Sequence, residues 1–241
     1  MGKYATDDDL IYVTSTRIPV CLCIDTSGSM SGKDGTDKSR IERVKEGIEA
    51  FYQEVRNDDL IVDAAEVSIV GFNDDPYIVR DFGLVKDHDK GMDTKISASG
   101  QGNIGVGVLK ALELLAQRKE MYKENGVDYY QPWIIIMSDG HSTGDNDVRG
   151  NLKKAQEQTL ELEKGNKLNV VTVYIGGSLN EDTKAQKDLG GFSKKNPTQE
   201  ISATKFSDFF VWLGKSVSIV AEGNSDQVPL DFTDLTDWTD F

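Results

Sequence analysis

In the stretch CLCIDTSGSM (residues 21–30), three oxygen-bearing side chains stand at alternate positions: Asp25, Ser27 and Ser29. An apolar run, IPVCLCI, leads straight into them. Two readings are open. The first is a turn in which Asp, Ser and Gly hand a strand over to a helix, a role these residues favour. The second is a set of hard donors, since a two-residue spacing in a turn lets successive side chains converge. One carboxylate and two neutral oxygens suit magnesium, or manganese, which takes oxygen ligands octahedrally and keeps several waters. With so few anionic ligands the ion stays electrophilic, with a position open to a carboxylate from another molecule. A second acid, Asp139, closes the apolar run PWIIIMSD (132–139), from where it could orient a metal-bound water.

These residues must be positioned by the elements around them. Continuous apolar runs alternate with 3.6-period segments. IPVCLCID (18–25), AEVSIVGF (65–72), PWIIIMSD (132–139) and LNVVTVYIG (168–176) read as buried strands. PYIVRDF (76–82) forms a hairpin with 65–72 across Asn73–Pro76, and TQEISA (198–203) is a short edge strand. Helical stripes run through Ile41, Val44, Ile48, Phe51 and Val55, and through Ile104, Val108, Leu112 and Leu115. Further helices are predicted at 147–164, near 181–190 and from Phe206 to Val220. Apolar strands separated by helices predict an α/β, doubly wound, mainly parallel sheet with one antiparallel edge strand and helices on both faces. In such sheets ligands bind beyond the carboxyl ends of the strands, where strand order reverses. Asp25 and Asp139 both fall at such ends, and the glycine-rich segment 99–107 opens a helix suited to the same rim.

The 241 residues suffice for one large domain with a core. Acids outnumber bases 41 to 27, for a net charge of −14, so nucleic acid and anionic membranes are excluded as expected partners. No apolar run approaches the ~20 residues of a membrane helix. MGKYATDDDLIYV lacks the basic and apolar regions of a signal peptide, so a cytoplasmic protein is expected. Cys21 and Cys23 share one strand face and read as small buried hydrophobes, too few for a zinc site without a nearby histidine.

Three motifs mislead. GHSTG (140–144) matches a nucleophile elbow, but no histidine follows Ser142, so the triad has no base and Ser142 reads as a helix cap, with His141 an exposed loop residue. GQGNIG (100–105) matches a dinucleotide fingerprint without the apolar strand that must precede it, so its glycines read as tight turns and close approaches. GSMSGKD (28–34) is one residue short of a phosphate loop and has Asp34 where Ser or Thr is needed.

DTSGSM matches the D-x-S-x-S signature of the metal-ion-dependent adhesion site. With IERVKEGI, VSIVGFND, GNIGVGVLKALELL and PWIIIMSDG in order, residues 16–220 resemble von Willebrand factor A domains. YYQPWIIIMSDGHSTGD most resembles the bacterial intracellular members associated with tellurium resistance. The resemblance implies a six-stranded sheet with a metal on its upper rim, and adhesion or scaffolding rather than catalysis. A partner's acidic residue would complete the metal shell. By carry-over Asp25, Ser27 and Ser29 are ligands and Asp139 is the third-loop acid.

Two departures stand out. The family's second site loop supplies a threonine ligand where this chain has Gly102, leaving water, Asn103 or Ser99 as substitutes. An insert, GKDGTDKSR (32–40), separates the first motif from its helix and would fringe the site with Lys33, Asp34, Asp37 and Lys38, or form only a solvated loop. Domain limits follow as an extension at 1–15, the A domain at 16–222 and an acidic, disordered tail at 223–241. In that tail Phe232, Leu235, Trp238 and Phe241 recur every third residue, a pattern suited to docking or self-association. Competing readings are an A domain with a degenerate site and a magnesium-dependent phosphatase-like hydrolase using Asp25. The latter is disfavoured because Ser27 stands where its second acid belongs.

Overall fold

A computed structural model describes residues 16–59, 61–88, 95–140, 142, 144, 146–176, 179, 182–201 and 205–221. The expected extension and tail lie outside the described residues, as does His141. In chain order the elements are β1 (Ile18–Asp25), α1 (Arg40–Arg56), β2 (Ala65–Phe72), β3 (Pro76–Leu84), α2 (Ile104–Glu124), β4 (Trp133–Ser138), α3 (Asn146–Lys164), β5 (Asn169–Tyr174), α4 (Thr183–Gly190), β6 (Gln199–Glu200) and α5 (Phe206–Ala221). Short 3-10 turns occupy Gly28–Ser31 and Val85–Asp87.

The strands form one sheet in the order β3-β2-β1-β4-β5-β6. All neighbours are parallel except the β2–β3 hairpin. This is the doubly wound arrangement that the apolar runs predict. The edge strand β6 is shorter than 198–203, because only Gln199 and Glu200 pair with β5, opposite Val173 and Tyr174. The hairpin strand β3 runs two residues further than expected, with register shifts opposite Val67–Val70.

Period-two alternation divides the core. Ile18, Val20, Leu22 and Ile24 of β1 pack with Val44, Phe51, Phe210 and Leu213 of α1 and α5, while Cys21 and Cys23 face Val108, Leu115 and Leu189 of α2 and α4. Both thiols are free and buried, as expected, and burial pushes the Cys21 thiol up to about 12, so it is inert at neutral pH. On the second face, α2 and α3 touch at Gly105, where a Cβ would lie 2.3 Å from the backbone nitrogen of Leu152. Of the glycines of GQGNIG, Gly105 thus serves close helix packing, and Gly100 takes a left-handed turn (φ 70°).

At the lower end of the sheet, opposite the site, Glu66 is buried in β2 beside the start of β1. Its Oε2 accepts hydrogen bonds from Arg118 Nε (2.6 Å) and the Tyr122 hydroxyl, and its Oε1 lies 3.3 Å from Arg17 Nε. One carboxylate therefore ties β1, β2 and the end of α2 together.

Candidate functional site

β1 pairs with β2 on one side and β4 on the other, so strand order reverses between β1 and β4. Asp25 ends β1 and Asp139 follows the last residue of β4, which places both acids at the switch point. Asp25 is fully buried. Its Oδ1 accepts the Ser27 backbone N–H at 2.8 Å, and its Oδ2 accepts the Ser138 hydroxyl at 2.6 Å. The first bond folds the chain back on itself in an Asx-type turn, which brings the following side chains round to the same side.

Ser27 precedes the 3-10 turn as its N-cap, yet its hydroxyl makes no capping bond. Instead Ser27 Oγ and Ser29 Oγ hydrogen-bond to each other at 3.0 Å. The turn is real, but the hydroxyls converge on each other rather than on orphan N–H groups. An octahedral ion with bonds of about 2.0–2.1 Å sets adjacent ligands roughly 2.8–3.0 Å apart, so this hydrogen-bonded pair already has the separation of one edge of such a shell. Met30, fully buried, anchors the turn from beneath.

The second loop lies against the first through two backbone bonds, Ser99 N–H to Thr26 O (2.8 Å) and Gly28 N–H to Gly100 O (2.9 Å). Gly102 sits at the entrance to α2. Asn103 caps that helix, its Oδ1 accepting the Val106 N–H at 3.4 Å. The Ser99 hydroxyl accepts from the Asn73 amide at 3.2 Å. Both substitutes for the missing threonine are thus already engaged, Asn103 by its own helix and Ser99 by the β2–β3 turn. Ser142 is a cap, but of α2 rather than of the helix that follows it: its hydroxyl accepts the Ile104 N–H at 3.3 Å.

The insert is no loose solvated loop. Arg40, at the start of α1, donates from Nε and one terminal nitrogen to the two oxygens of Asp34 (2.7 and 2.6 Å). Its other terminal nitrogen donates to Asp139 Oδ2 (3.1 Å) and to the Ser29 carbonyl (3.3 Å). Of the residues expected to fringe the site, Asp34 is built into it, Lys38 pairs with Glu46 at 2.5 Å, and Lys33 contributes its carbonyl to Arg43. Arg40 itself was invisible as a site residue, because its link to Asp139 spans 99 positions.

Electrostatically the rim is cation-seeking. Burial, and then the negative charge of Asp139, push the Asp25 carboxyl up to about 6, against the lowering effect of the Ser138 and Ser27 hydrogen bonds. Arg40 holds the Asp34 carboxyl below its usual range. A buried carboxylate beside two neutral hydroxyls has the donor chemistry for a hard divalent ion, which Asp25, Ser27 and Ser29 would hold. Among the described residues no cluster of three or more His, Cys, Asp or Glu could hold a metal, so the ligand set here is poor in anions. Grooves of about 890 and 1170 Å³ lie along α2–α3 and at the lower edge of the sheet, and neither is lined by Asp25, Ser27, Ser29 or Asp139.

Residues 20–141 match the family model for the von Willebrand factor type A domain. The chain belongs to that family. The A-domain fold is also that of the PilB minor pilin from Streptococcus sanguinis (13% identity, TM-score 0.58, covering 88% of this chain and 62% of that one). It is shared with the von Willebrand factor domain of the type V pili tip protein Mfa5 from Porphyromonas gingivalis (12%, 0.60, 87% and 97%). The conserved hypothetical protein BatB from Bacteroides thetaiotaomicron is similar as well (18%, 0.52, 85% and 99%). This chain thus spans less than two thirds of the pilin's length. Comparison with curated proteins returns no match. Among the described residues, no helix is long and apolar enough to cross a membrane.

Proposed function

We propose that this A domain is a non-catalytic, divalent-metal-dependent protein-interaction module whose recognition surface is the β1–β4 rim. The observation that carries the reading is the Asp25–Ser27–Ser29 turn: a buried carboxylate beside two hydroxyls that hydrogen-bond each other at 3.0 Å, with Ser27 making no capping bond. A bound magnesium or manganese ion would supply an electrophilic position for a carboxylate of a protein partner. Asp25 contributes the fixed negative charge, Ser27 and Ser29 contribute neutral oxygens, and Ser138 holds the Asp25 oxygen in place. Two of the similar structures are a minor pilin and a pilus tip protein, which agrees with an interaction role.

The sequence resemblance extends the proposal to a cytoplasmic, bacterial stress-response or signalling complex of the tellurium-resistance type, with the tail at 223–241 available for self-association or docking. Calorimetry on the full chain tests the metal. Magnesium or manganese should bind with micromolar to millimolar affinity and cease to bind in a folded Asp25→Ala variant. No heat with either ion in the wild type would overturn the metal dependence. Capture of a protein partner that is unaffected by chelator would overturn its role in recognition.

A further inference from the structure

Arg40 reaches the rim because the insert is built to aim it. Lys33 to Thr36 form a tight turn closed by the Thr36 N–H to Lys33 O bond (2.9 Å), with Asp34 and Gly35 both left-handed (φ 46° and 74°). That is the Asp-Gly turn of type I′, in which glycine bears the second positive φ without strain. Arg43, buried in α1, fastens the turn from inside. It donates to Lys33 O (3.1 Å), Lys38 O (3.0 Å), the Thr36 hydroxyl (2.7 Å) and Asp34 Oδ2 (2.8 Å). Asp34 is thereby a fixed platform, and it grips Arg40 by two parallel bonds, the strongest geometry open to a guanidinium. What remains of the fork points at Asp139 and at the carbonyl of Ser29, one of the proposed metal donors.

We propose that Arg40 is the resident cation of the rim, which neutralises Asp139 and competes with a divalent ion for the charge of that acid. The inference rests on the metal reading above and adds to it a built-in competitor. With Arg40 in place the rim is partly neutralised, and an ion at the Asp25–Ser27–Ser29 turn meets a full positive charge bonded to the same turn. Without Arg40, Asp139 stands uncompensated beside Asp25, and the two acids together attract the ion. The Arg40 and Asp34 side chains are 17% and 23% exposed, so the guanidinium has a route to water when displaced.

The test is magnesium and manganese titration of the wild type, Arg40→Gln and Asp34→Asn by calorimetry, with melting temperatures in excess metal and in chelator. Arg40→Gln should bind at least about tenfold more tightly, as expected for removing a like charge that is hydrogen-bonded to the Ser29 carbonyl of the same turn. Asp34→Asn, which loosens the grip, should shift affinity the same way by less. The melting temperature of Arg40→Gln should depend on metal more steeply than that of the wild type. Metal binding by Arg40→Gln alone would support the competition while refuting metal dependence of the natural protein. Equal or weaker binding in folded Arg40→Gln, with the wild type binding, would overturn the competition and leave the metal reading standing. No binding by any of the three proteins would overturn both.

Discussion

Replacing Asp25 by Asn should make the metal-free protein more stable. The carboxyl is fully buried, and its ionised form is opposed by burial and by Asp139, which raises its pKa from 3.8 to about 6. An acid whose folded pKa lies above its unfolded value binds its proton more tightly in the fold. Its charge therefore costs stability above pH 6, and the cost fades as pH falls through the window from 6 to 3.8. A rise of about two units corresponds to roughly 3 kcal/mol at neutral pH. Asparagine keeps an oxygen for the Ser27 N–H, and its amide can donate to Ser138 Oγ, whose hydroxyl must then find another acceptor. That loss trims the expected gain to about 1–3 kcal/mol, or roughly 3–10 °C in melting temperature for a chain of this size. Denaturant unfolding in chelator at pH 7.5 and at pH 4.5 measures it. The variant should lead at pH 7.5, and the lead should shrink at pH 4.5. A variant less stable than the wild type by the same margin at both pH values would show that the carboxylate is comfortable where it is, and the argument for a cation-seeking rim would fail.

Other consequences can be checked with the same assays. His88 is buried, and burial first, then Arg80 and Arg56, lower its pKa to about 3. The fold therefore loses stability as pH falls below 6.5, and His88→Gln should remove about 2 kcal/mol of the loss between pH 7 and pH 5; an unchanged pH profile would contradict this. Glu66→Gln leaves Arg17 and Arg118 buried without their counter-charge and should cost about 3–5 kcal/mol in urea unfolding; a cost under 1 kcal/mol would refute the assignment. Gly102→Thr should tighten magnesium binding by about 0.5–1.5 kcal/mol if its hydroxyl reaches the rim, and the left-handed φ in that loop falls on Gly100 (70°) rather than there. Weaker binding in a folded variant would mean that Gly102 does not stand at the ligand position.

The central strands were legible because they are buried on both faces: IPVCLCID or WIIIMS has no polar face that could compete with a strand reading, whereas the half-exposed edge strands β3 and β6 differ from expectation in their limits. Acids at the ends of two such runs are a local signal, and the doubly wound topology brings those ends together. What escaped the reading depends on distance along the chain. Arg40 reads as the first residue of an amphipathic helix, and nothing near it in sequence shows that its fork spans Asp34 and Asp139. Ser142 has a motif's spacing, but its partner is the N–H of Ile104, 38 residues earlier. Glu66 gave a signal that went unused: a lone acid within AEVSIVGF, on a strand too apolar to expose it.

The contrast between the two ends of the sheet bears on function. Both hold a buried carboxylate, Glu66 below and Asp25 above, and both sit in the strands of the central parallel pair β1–β2. Below, Glu66 meets two guanidiniums and a phenol, enough to settle a buried charge within the fold. Above, Asp25 meets the Ser27 N–H and the hydroxyls of Ser138 and Ser27, none of them charged, and has a second acid for a neighbour. The cation nearest that pair, Arg40, bonds Asp139 rather than Asp25. A fold able to neutralise a buried acid fully at one end leaves the other short of positive charge. Structural stability does not require that shortfall, whereas an exchangeable cation at the rim would use it.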